Sequence, residues 1–306
     1  MAGELPDLPH LAELPARGPG ADMIGRSAGL LVDLPVDLQP SGWRLVDRPG
    51  LDARRARGYL SHDLDELEAR LQGHTGQVKV QAVGPWTLAA SLQLPRGEPV
   101  LRDLSARADV VASLTEGLRL HLADLRRRLP DVSPVLQLDE PSLPAVLAGA
   151  IRTSSGVTTI AAVQQTHAED LLRAMVEALG VPVVVHCCAA RPPVDLLRRS
   201  GAAGVSVDLT LLGEDTYDEL GESVEAGLVL FAGLVPAVGP APVSGVADTV
   251  APVRRLWQRL GLGQQALATQ VVVTPTCGLA GASPDRARAA LAAAREAGRA
   301  LTEMEV

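Results

Sequence analysis

The chain has 306 residues, a formal net charge of −8 and a pI near 5.3, and 47% of its residues are hydrophobic. Such a chain can bury the core of an α/β barrel, so we expect a single domain over residues 1–306. The acidic balance argues against a nucleic-acid partner. We also expect no membrane partner and a cytoplasmic location, because no apolar stretch approaches the roughly 20 residues that span a bilayer and the N-terminus shows no charged-then-apolar leader.

Apolar runs of four to eight residues alternate along the chain with amphipathic helical patterns such as Asp103–Leu129 and Ala168–Leu179. This βαβ alternation is typical of a parallel sheet covered by helices. The predicted strands are seven: Pro9–Leu14, Val78–Val83, Val135–Leu138, Val183–His186, Gly204–Asp208, Leu228–Leu234 and Gln270–Thr274.

Seven strands are one fewer than a closed (β/α)8 barrel requires. We therefore predict a TIM-type (β/α)8 barrel in one of two forms. Either Thr158–Val163 contributes an eighth strand, or the first strand of the barrel is missing from this chain.

The three cysteines form a poor disulfide framework, because their number is odd and two of them, Cys187 and Cys188, are adjacent. Reduced thiols suit a metal site better. His186 and Cys188 follow one predicted strand, Asp208 ends the next, and Cys277 follows the last. In a parallel barrel these strand ends converge at one mouth, where ligands bind.

Thiolate sulfur and neutral imidazole are ligands that zinc prefers, and three or four of them can leave a coordination position open for a substrate. The pattern therefore predicts a zinc site. Alternation along the strand turns Cys187 to the opposite face, which favours core packing for it. Each residue taken alone also has a structural interpretation: His186 as a buried, hydrogen-bonded histidine, and Cys188 or Cys277 as small apolar side chains.

Four motifs, in their order along the chain, resemble those of one known family. They are Gly-Pro-Trp-Thr-Leu (84–88), Leu-Gln-Leu-Asp-Glu-Pro (136–141), the His-x-Cys pair of His186 and Cys188, and Thr-Pro-Thr-Cys-Gly-Leu (274–279). The sequence is similar to the C-terminal catalytic barrel of the cobalamin-independent methionine synthases. The resemblance is continuous from residue 77 to the end and weak before it.

The resemblance implies a zinc ion bound by His186, Cys188 and Cys277, with Asp208 where the family has glutamate. It implies that Asp139 holds the amino group of homocysteine or a related small thiol, and that the methyl donor is a methylfolate. Metal coordination deprotonates a thiol at neutral pH while its sulfur stays nucleophilic.

Three departures from the family pattern bear on activity. The chain has no equivalent of the family's N-terminal half, which helps to bind the folate, so a corrinoid protein is an alternative donor. If Asp22-Met23-Ile24 is aligned with the family's Asp-Met-Val, a substrate-binding glutamate is replaced by Gly25. The loop at residues 233–240 lacks the family's proton-donating histidine, so we assign no general acid or base.

Three hypotheses follow from the sequence. The leading one is a zinc-dependent methyltransferase that converts homocysteine, or a related thiol, to methionine or its analogue. The second is a metal-free barrel enzyme of the uroporphyrinogen decarboxylase type, against which the cysteine motifs count. The third is a non-catalytic zinc-binding barrel, which the glycine at position 25 and the missing loop histidine favour.

Overall fold

The computed structural model describes residues 3–239 and 245–303, so the last residue of the 233–240 loop lies outside these ranges. Its strands are β1 (Val36–Gln39), β2 (Gly42–Leu45), β3 (Gln77–Val83), β4 (Ser133–Asp139), β5 (Val183–His186), β6 (Gly204–Asp208), β7 (Val229–Val235) and β8 (Val271–Pro275). Its α-helices are α1 (Met23–Ala28), α2 (Leu51–Arg70), α3 (Pro85–Ser91), α4 (Leu104–Arg128), α5 (Leu143–Leu147), α6 (Gln165–Leu179), α7 (Val194–Arg199), α8 (Tyr217–Glu225), α9 (Val246–Leu260), α10 (Gln264–Gln270) and α11 (Pro284–Thr302). None of the helices in these ranges combines the length and apolar character that crossing a bilayer requires.

The strands β3 to β8 form one parallel sheet in sequence order, while β1 and β2 form a separate antiparallel hairpin. A parallel sheet whose strand order follows the chain, with helices in the connections, is the arrangement of half or more of a TIM-type barrel. The α/β class is confirmed. The count of eight barrel strands is not confirmed, because the sheet within the described residues has six strands.

Six of the seven predicted strands are confirmed as members of this sheet, with ends that differ by no more than two residues. The predicted strand Pro9–Leu14 is wrong in extent, because it is reduced to one parallel bridge between His10 and Lys79 of β3. The predicted eighth strand Thr158–Val163 is wrong, because it makes only an antiparallel bridge from Thr159 to Arg152.

The sheet is curved around an apolar interior. Val135 of β4, Val184 of β5 and Phe231 of β7 are buried in one cluster, against which Leu8 and Val272 of β8 pack. Because side chains from β4, β5 and β7 belong to one cluster, the inner faces of these strands converge, as those of a barrel wall do.

The first described segment, residues 3–11, lies across the open side of the sheet. Arg295 of α11 donates to the carbonyl oxygens of Gly3 and Glu4, at 3.3 and 3.2 Å. A few residues later the amide of Leu11 donates to Lys79 of β3 at 3.0 Å. Since α11 packs on β8, this segment joins the two edges of the sheet without adding a full strand.

The helices cover the outer face of the sheet through apolar stripes. On α4, Leu114, Leu118, Leu122 and Leu125 recur every three or four residues and are fully buried. On the outer face of the sheet, the buried side chains Val78, Val80 and Ala82 of β3 alternate with inward-pointing residues. This packing holds the carboxyl ends of β3 to β8 at one mouth, where the site lies.

Candidate metal centre

The structure brings together His186, Cys188 and Cys277, which the sequence separates by up to 91 residues. One ligand atom of each lies within 4.8 Å of the other two. His186 is the last residue of β5, and Cys277 follows the end of β8 by two residues. Among the described residues, this is the one group of three or more His, Cys, Asp or Glu side chains close enough to share a metal ion.

The ring of His186 is oriented from the neighbouring strand. Its Nδ1 lies 3.2 Å from both the carbonyl oxygen and the hydroxyl of Ser206 on β6. When Nδ1–H donates to this carbonyl, the lone pair is on Nε2, which is the nitrogen left to bind a metal. The register of β5 and β6 pairs His186 directly with Ser206, so the sheet itself sets this contact.

The thiols of Cys188 and Cys277 shift each other's pKa in opposite directions. Hydrogen bonds from Cys188 and His186 lower the pKa of Cys277 to about 4. The hydrogen bond to Cys277, together with burial, raises the pKa of Cys188. Although burial alone would lower the pKa of His186, its hydrogen bond to Cys277 and the charge of Asp139 raise it. The group therefore carries a thiolate at neutral pH, which is the form that binds metals.

Cys187 points away from this group. It is fully buried, and its amide donates to the carbonyl oxygen of Ser206 at 2.9 Å. Burial raises the pKa of its thiol to about 11. An apolar, protonated thiol is a packing residue, as the alternation of the strand predicts.

Asp208 lies at the end of β6 but outside the cluster of three. Its Oδ1 accepts hydrogen bonds from the backbone amide and the hydroxyl of Thr210, at 2.9 and 2.6 Å. The structure therefore places this carboxylate at the same barrel mouth, engaged with its own loop. Its role as a zinc ligand stays a prediction.

Asp139 ends β4, and the register of the sheet pairs it with His186. Its side chain is only 6% exposed, and its Oδ1 accepts a hydrogen bond of 2.8 Å from the side-chain amide of Gln137. The predicted substrate-binding carboxylate is thus one strand away from the cluster. That position suits a group that holds one end of a small molecule whose other end reaches the metal.

The next residue, Glu140, is completely buried and has a structural task. Its carboxylate accepts hydrogen bonds of 2.8 Å from the amides of Trp86 and Thr87, and one of 2.7 Å from the Thr87 hydroxyl. These amides begin α3, where unpaired N–H groups attract an anion. Burial raises the pKa of Glu140 to about 7. Glu140 therefore fastens the Gly84–Leu88 motif to the end of β4.

The catalytic-domain family of the cobalamin-independent synthases matches residues 75–300 of this chain. The chain belongs to the cobalamin-independent methionine synthase family. No curated protein matches the chain at a significant level. A solved structure, a B12-independent methionine synthase from Shewanella sp. W3-18-1 in complex with selenomethionine, is similar with a TM-score of 0.57 over 79% of this chain and 67% of that chain. The two sequences are 12% identical, so the structural likeness shows a shared fold alone.

Cobalamin-independent methionine synthases are generally zinc-dependent, and the cluster in this chain fits that metal. Two sulfurs and one imidazole nitrogen are a zinc donor set, and tetrahedral ligands at Zn–S lengths of about 2.3 Å lie about 3.8 Å apart. Ligand atoms already within 4.8 Å of one another need only small side-chain movements to reach this spacing. His186, Cys188 and Cys277 would hold the ion.

The structure also shows a carboxylate that sequence reasoning missed. Glu13 forms an ion pair with the buried Arg26 and lies close enough to Asp139 for the two charges to interact. Burial and then the Asp139 charge raise the pKa of Glu13 against the pull of Arg26. The only sequence signal was an acidic residue inside a predicted strand, at Glu13 in Pro9–Leu14.

Gly25, which takes the place of a family glutamate in the alignment above, lies in a tightly packed position of α1. A side chain at this position would place Cβ 2.4 Å from the Trp43 ring and 2.6 Å from Asp22. The Gly25 amide donates to Asp22 at 2.8 Å, which caps α1. A side chain at this position would therefore clash with Trp43 and Asp22, and the loss of a substrate-binding glutamate here stays a prediction.

Proposed function

We propose that this protein is a zinc-dependent S-methyltransferase that methylates the thiol of homocysteine, or of a related small thiol, to form methionine or its analogue. The observation that carries the proposal is the convergence of His186, Cys188 and Cys277 beside Asp139, at the mouth of a barrel of this family. When bound, zinc would lower the pKa of the substrate thiol and keep its sulfur nucleophilic.

The chain's own residues would position the amino acid. Asp139 is buried, whereas the nearby Glu13 is 32% exposed. An ammonium group placed between them would offset the Asp139 charge, which, after desolvation, raises the pKa of Glu13. The amino end of the substrate would therefore be held one strand away from His186. This places its thiol toward the cysteines and gives the reaction its orientation.

Asp208 is proposed as the fourth protein ligand. It ends β6, next to the strand that carries His186, but it must give up its hydrogen bonds from Thr210 to reach the metal. We expect Asp208→Asn to weaken zinc binding about tenfold or more. The measurement is a competitive titration with a chromogenic chelator. Unchanged zinc affinity would remove Asp208 from the ligand set and leave that position to the substrate.

The proposed methyl donor is a folate or a corrinoid protein. The test is to incubate zinc-loaded protein with homocysteine and, separately, methyltetrahydrofolate, methylcobalamin or a methylated corrinoid protein, and to quantify methionine by mass spectrometry. Cys188→Ser should abolish any methionine formed, because it removes a proposed ligand. If no donor yields methionine with the wild type, the proposed reaction is wrong. Turnover of a porphyrinogen without zinc would instead support the decarboxylase hypothesis.

A further inference from the structure

Lys79 is the one lysine in the 306 residues, and it lies in the wall of the barrel. Register pairs it with Val135, whose side chain belongs to the interior cluster, so Lys79 points inward as well. Its Nζ donates to the Oε1 of Gln137 at 2.7 Å. Gln137 in turn donates from Nε2 to the Oδ1 of Asp139 at 2.8 Å. A continuous chain of hydrogen bonds thus runs from the lysine to the proposed substrate-binding carboxylate.

The chemistry of lysine determines which group donates and which accepts in each of these hydrogen bonds. A protonated amine can only donate, so the oxygen of the Gln137 amide must face Lys79 and its NH2 group must face Asp139. Without that cation the amide could turn and present its oxygen to the carboxylate. The lysine therefore determines that Asp139 meets a donor, which orients this carboxylate for an ammonium group.

The surrounding charges support the same interpretation. Burial lowers the pKa of Lys79, while Asp139 and Glu13 raise it and Arg26 lowers it. Lys79 and Arg26 thus lie near two carboxylates, those of Glu13 and Asp139.

We propose that Lys79, acting through Gln137, is a positioning residue that holds Asp139 ready for the amino group of the thiol substrate, and so makes the site selective for amino-acid thiols. The proposal deepens the proposed function and rests on it. Lys79 itself touches neither the metal cluster nor the reacting sulfur in this scheme.

The test compares two thiols by calorimetric titration into zinc-loaded protein. One is L-homocysteine, and the other is 4-mercaptobutyrate, which has the same thiol and carboxylate but no amino group. The variants are Lys79→Met, Gln137→Met and the double variant, each checked for zinc content and for its circular dichroism spectrum. If Lys79→Met does not fold, Gln137→Met carries the same comparison.

We expect Lys79→Met to weaken homocysteine binding about tenfold and to leave 4-mercaptobutyrate within about twofold of the wild type. The double variant should match Gln137→Met, because the lysine acts through the glutamine. Equal weakening of both thiols, or an unchanged affinity for homocysteine, would overturn the positioning role alone. If neither thiol binds to the zinc-loaded wild type, the proposed function itself fails.

Discussion

Removing the Glu140 carboxylate should destabilise the protein strongly, although this residue touches no proposed ligand atom. In Glu140→Ala, the buried amides of Trp86 and Thr87 lose their acceptor. An unpaired buried donor costs about 2 kcal/mol, so the two together predict a loss of about 4 kcal/mol in the free energy of unfolding. The measurement is urea unfolding at pH 7, with Glu140→Gln as the shape-matched control, which keeps one acceptor and should lose less.

The same residue predicts a pH dependence with a definite sign. Because burial raises the pKa of Glu140 from 4.5 to about 7, the folded protein holds a proton that the unfolded chain releases between these values. Stability contributed by this group is therefore present below pH 4.5 and is lost as the pH rises through 7. Relative to Glu140→Gln, the wild type should lose about 2 kcal/mol between pH 5 and 8. A loss below about 1 kcal/mol for Glu140→Ala, or a pH trend of the opposite sign, would refute this account of the buried cap.

Further predictions concern the helices and the motif at α3. Burial lowers the pKa of His121 from 6.5 to about 4, so the wild type should lose about 2 kcal/mol relative to His121→Leu as the pH falls from 7 to 5, measured by urea unfolding at each pH. If the free energy of unfolding changed equally with pH in the wild type and in His121→Leu, this prediction would be wrong. Gly84→Ala would place Cβ 2.4 Å from Glu140 Oε1, so it should lower the melting temperature, whereas Gly58→Ala, where nothing lies within 4 Å, should not. If Gly84→Ala melted at the same temperature as the wild type, the prediction would be wrong, because the end of β4 would have moved to make room for the methyl group.

Much of the fold was predictable because each buried parallel strand is a short apolar run bounded by turn residues. Val183–His186 and Gly204–Asp208 match the structure at both ends. Pro9–Leu14 fails because it pairs on one side only, begins with a proline that has no N–H, and turns into the 3-10 helix Pro15–Arg17. Thr158–Val163 has strand-like residues, but only Ile160 and Val163 in it reach the core, and the other four side chains are exposed, unlike those of a central strand.

The metal cluster was predictable for a related reason. In a parallel sheet, residues at the carboxyl ends of strands meet, so His186, Cys188 and Cys277 could be grouped without knowing any distances. The electrostatic interaction between Glu13 and Asp139 was not predictable, because it depends on where an irregular edge segment meets the sheet. The link from Lys79 to Asp139 depends on the register of β3 and β4, which periodicity alone does not specify.

The proposed reaction depends on the claim that His186, Cys188 and Cys277 hold zinc. The most direct test is the zinc content per chain by elemental analysis, for the reduced wild type, for Cys277→Ser, and for Cys187→Ala as a matched control in the buried cysteine outside the cluster. We predict about one zinc per chain in the wild type and in Cys187→Ala, and little or none in Cys277→Ser. Wild-type protein without zinc after purification in the absence of chelators, or equal zinc in all three proteins, would contradict the claim.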